Sequence, residues 1–101
     1  MGSIIYGGGR RIQFDDRTLA HLQRIIVAKL RRQESFTLSW QAEDGKQGRF
    51  SLWIHPSIPL QFEFDEAEQP DVNREWLTRM LVDATASGEV RLAPEPVAVS
   101  A

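Results

Sequence analysis

Between Ser35 and His55 the side chains keep a period of two through two consecutive segments. Phe36, Leu38 and Trp40 fall on one side of an extended chain, and Ser35, Thr37, Ser39 and Gln41 fall on the other. After a polar turn, Glu43 to Gly48, the pattern resumes with Phe50, Leu52 and Ile54 opposite Arg49, Ser51, Trp53 and His55. Only a half-buried strand has this period, because successive side chains leave the pleat on opposite faces. Two such strands around a short turn form an antiparallel hairpin whose apolar face must be covered. The chain therefore needs a second layer.

Two segments supply it. From Arg17 to about Arg32 there is no Gly or Pro, and Leu19, Leu22, Ile26 and Leu30 recur at steps of three and four, widened by Ile25. Asp15 and Asp16 precede this amphipathic helix, and Lys29, Arg31 and Arg32 end it, which suits the helix dipole at both termini. A second helix is predicted from about Val72 to Ala86, capped by Asp71 or Asn73 and stopped by Gly88. Val72, Trp76, Leu77, Met80, Leu81 and Ala84 make its apolar side. Shorter strands complete the set. Ile4–Tyr6 and Arg10–Phe14 flank Gly7-Gly8-Gly9 as a hairpin, Leu60–Phe64 alternates after Pro56 and Pro59, and Val90–Leu92 comes last. The order β-β-α-β-β-β-α-β predicts an α+β two-layer sandwich: a mostly antiparallel sheet with two helices on one face. A loose echo of strands, then helix, then strand runs through the two halves. A single domain is expected over 1–93, with 94–101 a flexible Pro- and Ala-rich tail.

Composition narrows the chemistry. The 101 residues include no cysteine, so no disulfide framework or thiolate metal site can form. No apolar run approaches the roughly 18–20 residues of a membrane span, and the first residues lack the pattern of a signal peptide. The expectation is a cytoplasmic protein without a membrane partner.

Several runs carry a resemblance: Asp16 to Trp40, Trp53 to Phe62, Asn73-Arg74-Glu75-Trp76, and Arg91 to Pro96. Through them, nearly the whole chain resembles a family of small, uncharacterised actinobacterial-type proteins. Members of it are often automatically named ATP-dependent DNA ligase. A nucleotidyl-transferring ligase needs a lysine nucleophile, usually in a Lys-x-Asp-Gly motif. Here Lys29 is followed by Leu30-Arg31-Arg32 and Lys46 by Gln47-Gly48-Arg49. Neither supplies the motif, so no ligase activity is expected.

The charge is uneven. Residues 1–55 hold nine Lys+Arg against five acids, and residues 56–101 hold three against nine. Arg17, His21, Arg24 and Arg31 fall at helical spacings that predict one exposed stripe, which Arg32 extends. Such a stripe can meet phosphates, stay solvated, or pair with Glu63, Asp65, Glu66 and Glu68, either internally or on another subunit. Trp53 and His55 are expected on the polar side of their strand, where an exposed Trp can stack a base, pack a sugar or anchor a subunit. Gly7-Gly8-Gly9 is followed by a strand and lacks the Gly-Lys-Ser/Thr ending of a phosphate loop, so it reads as a turn. The two histidines, His21 and His55, sit on different elements and suggest no metal pair. No catalytic, cofactor-binding or metal residue is assigned. The sequence favours a non-catalytic protein that works by association, as a homodimer or with a protein partner. The alternative is a nucleic-acid-associated accessory module using the basic stripe.

Overall fold

Glycines between the first two strands and the aspartate Asp15 set the first part of the fold. A computed structural model describes residues 1–41 and 48–96. Strand β1 (Gly2–Tyr6) pairs antiparallel with β2 (Arg10–Phe14), register Ile4 opposite Ile12, and Gly7 and Gly9 take positive φ in the turn between them. Asp15 then caps α1 (Asp16–Arg31): its carboxylate accepts the Thr18 N–H at 3.1 Å. β5 (Leu60–Glu63) adds to the other edge of β1, with Phe62 opposite Ile4, so the sheet order is β2-β1-β5. These elements belong to one compact unit, residues 1–35 and 55–72. Its core is Ile4, Phe14, Leu19, Leu22, Ile25 and Ile26.

No glycine ends α1. Gln33 takes the left-handed conformation at φ 61°, and the Gln33 and Glu34 N–H groups close on the Leu30 and Lys29 carbonyls. This wrap brings Glu34 within 3.2 Å of the Lys29 ammonium, which is largely buried.

The second unit holds residues 36–54 and 73 onward. β3 (Phe36–Gln41) pairs antiparallel with β4 (Arg49–Ile54), and β6 (Glu89–Arg91) lies parallel to β3 on its other side. Helix α2 (Arg74–Ser87) is capped by Asn73, whose side chain accepts the Trp76 N–H at 3.2 Å. Its buried residues Trp76, Met80 and Ala84 recur every four positions. Gly88 ends it at φ 75°. The chain leading into the predicted tail is held here, since the Trp76 indole N–H donates to the Ala93 carbonyl at 2.9 Å, and within the tail Glu95 accepts from Asn73 at 2.9 Å.

The α+β class and element order are those read from the sequence, and the six strands form two sheets of three. Alternation tells each strand which face to bury and says nothing about its neighbour. The loose echo acquires a form: each unit is ββαβ, with its first strand central and its third on the far edge. They differ in sense, since β5 runs antiparallel to β1 and β6 runs parallel to β3. The turn read over Glu43–Gly48 lies outside the described residues except for Gly48, as do residues 97–101 of the tail. Among the described residues no helix is long and apolar enough to cross a membrane.

Gly2 is a position where only glycine fits. An added Cβ would come within 2.5 Å of Leu19 Cδ2 and 2.6 Å of the Glu63 carbonyl oxygen, whereas one on Gly8 would meet nothing within 4 Å. Gly2→Ala is expected to destabilise the protein by about 1–3 kcal/mol, and Gly8→Ala to stay within about 0.5 kcal/mol. Urea denaturation of the two variants checks the contrast.

Candidate functional site

The basic stripe of α1 is narrower than its spacings predict. His21 is fully buried, and its Nδ1–H donates to the Arg17 carbonyl at 2.7 Å. The reason is the width of the apolar arc: at 100° per residue His21 lies about 40° from Ile25, inside the buried side. Arg17 is half-buried and its guanidinium donates to the Asp71 carbonyl at 2.8 Å, so its charge is committed within the unit. Arg32 is exposed at the helix C-cap. Arg24 and Arg31 remain, both exposed, seven residues or about 10 Å apart along the axis.

These two arginines line a groove of about 650 Å³ within the first unit. Ala20, Val27 and Ala28 share that stripe of α1 and line the groove with Phe62 and Phe64 at the end of β5, and Val27 is 40% exposed. The segment that follows β5 completes the lining with Glu66, Glu68 and Pro70. Asp16 holds that segment in place: its carboxylate accepts the Glu66 N–H at 2.8 Å and the Asp65 N–H at 3.3 Å. The sequence reading left open whether the acidic segment meets the arginines within one chain or between subunits. In the folded chain Arg24, Arg31, Glu66 and Glu68 line one groove. Val27 was missed as its lining because charge runs in a sequence reveal sign and not position.

The second cluster of candidates divides. Trp53 stands opposite Thr37 in the β3–β4 register and is 54% exposed, on the same side as Ser39, Gln41, Ser51 and Arg49. His55 belongs to the other unit, where its Nδ1 accepts the Ser57 N–H at 3.1 Å and lies 2.8 Å from the Ser57 hydroxyl. A backbone N–H can only donate, so a neutral His55 carries its proton on Nε2.

β6 adds Glu89 and Arg91 to the polar side of the sheet, beside Thr37 and Ser39. Ser39 is only 8% exposed. Its hydroxyl lies 3.0 Å from the Ser51 hydroxyl. The alternation of Glu89 and Arg91 about Val90 was the signal for these two residues. The Ser39 hydrogen bond, and after it Arg91, hold the Glu89 carboxyl below its ordinary value. A group whose pKa is lowered by folding stabilises the fold above its unfolded pKa, and that contribution is lost as pH falls through the folded value. Wild type should therefore exceed Glu89→Gln in stability most at neutral pH. The difference should vanish at pH values below the ordinary carboxylate range, as read from urea midpoints at both ends.

Residues 1–95 match a family described as a domain of unknown function (DUF7882). No curated protein and no solved structure matches the chain.

Proposed function

The chain belongs to this family of unknown function, and from that premise we propose that it is a cytoplasmic, non-catalytic association domain whose first-unit groove receives a second copy of itself. The observation that carries this reading is the self-complementary lining. Arg24 and Arg31 of α1 line it among apolar side chains, and Glu66 and Glu68 line it from the segment after β5. A two-fold interface requires a patch that complements itself. Two such grooves can set the arginines of each copy against the glutamates of the other and cover Val27, Phe62 and Phe64. Among the described residues Arg24 and Arg31 have no ion-pair partner, so both are available for such a contact.

The nucleic-acid reading is weaker on the same ground. With Arg17 and His21 committed, Arg24, Arg31 and Arg32 remain exposed, and the two that line the groove share it with two glutamates. A phosphate backbone would meet as much repulsion as attraction.

Light scattering at tens of micromolar is expected to give twice the mass of one chain. Arg24→Glu with Arg31→Glu should raise the dissociation constant at least about tenfold, and adding Glu66→Arg with Glu68→Arg should restore association. A monomeric wild type that binds duplex DNA in a salt-sensitive way would select the accessory-module reading instead.

A non-catalytic chain should also take up no nucleotide covalently. Lys29 is buried and held by Glu34, a poor setting for a nucleophile that must reach ATP. Incubation with ATP and magnesium is expected to leave the intact mass unchanged, and a lysine-linked AMP adduct in the mass spectrum would refute the assignment.

A further inference from the structure

The outer face of the second unit's sheet is concave, with a groove of about 630 Å³ that includes Thr37, Ser39, Gln41, Arg49 and Glu89 in its lining. That volume lies within the range of small-molecule sites, roughly 300–1,000 Å³. Trp53 lies outside this lining but on the same side of the sheet, in cross-strand register with Thr37 and more than half exposed. We propose that this face is a binding site for an oligosaccharide of neutral hexopyranose units.

The chemistry of the lining selects that class. A sugar hydroxyl donates and accepts at once, so its site needs both kinds of partner in a small area. Glu89 is a pure acceptor, Arg49 a pure donor, and Gln41 and Thr37 do both. Ser39 is largely buried, with its hydroxyl 3.0 Å from that of Ser51. The Glu89 carboxylate keeps lone pairs beyond those used by Arg91. Trp53 offers a broad, rigid apolar surface with a polar edge, against which the C–H face of a pyranose ring can lie. The charge argues against a phosphate chain: Arg91 is paired with Glu89 at 3.4 Å, which leaves one excess positive charge in the groove. Thymidine oligonucleotides need a basic track, and this face lacks one.

The site lies wholly in the second unit, so it is independent of the association groove, and the Arg24→Glu, Arg31→Glu variant should retain it. The probes are cellohexaose, maltohexaose and chitohexaose, read by the indole N–H resonances of the full chain. There are three tryptophans, and the Trp53 signal is identified by its loss in Trp53→Phe. At least one hexaose is expected to shift the Trp53 resonance saturably, with a dissociation constant of about 1 mM or lower. Trp53→Ala should weaken that binding about tenfold. Arg49→Ala, an exposed change that also leaves the core untouched, should weaken it severalfold. Failure of all three hexaoses to shift the Trp53 resonance overturns the proposal. So does binding unaltered in both variants, and so does a response to oligothymidylate alone, which would make the face a nucleic-acid platform.

Discussion

The carboxylate of Asp16 is the contact on which the first unit turns. It sits in the opening turn of α1 and accepts two backbone N–H groups, those of Asp65 and Glu66, from a segment some fifty residues away. Charge-assisted bonds of this kind are among the stronger ones in proteins. They fix where the chain goes after β5, and with it the side of α1 that faces the acidic segment. Arg17 secures the same segment further on, through the Asp71 carbonyl. The groove between Arg24 and Glu66 follows from these two attachments. Asp15, one residue earlier, does the local work of capping, so adjacent aspartates divide a short-range and a long-range task.

That division explains what could be read in the sequence and what could not. The helix, its N-cap and the buried faces of β3 and β4 follow from periodicities and local hydrogen bonds, and they were legible. So was the polar side of the strand on which Trp53 stands. Asp16 read as part of a cap because nothing near it in sequence shows a partner 49 residues on. His21 was misplaced for a different reason. Spacings of three and four locate residues on a flank, but the boundary between flank and core is set by how much of the helix the sheet covers. Lys29 read as a dipole partner at the helix end. It is instead drawn inward against Glu34 by the left-handed Gln33, a conformation that sequence assigns more readily to glycine. The strand order was illegible throughout, since pairing is decided by which edges meet.

The two units make different use of similar parts. In the first, helix residues and a returning segment line the groove together. In the second, the sheet itself presents the polar chemistry. A ββαβ plan thus carries its groove on the helix in one unit and on the sheet in the other. The difference lies in which face of the sheet remains open and in how the third strand enters.

The entry of that third strand in the second unit is abrupt. α2 ends at Ser87 and β6 begins at Glu89, with Gly88 alone between them. There is no slack in the joint. One residue more or less there, with the joint kept as tight, would shift the register on β3 by one, turn Val90 outward and carry Glu89 and Arg91 into the interior, because strand faces exchange with every single step. The length of this connection is therefore constrained by the register, as its residue is by the left-handed backbone at Gly88. Chain-length variation should accumulate elsewhere, and α2 and β6 should be inherited, transplanted or lost as one piece.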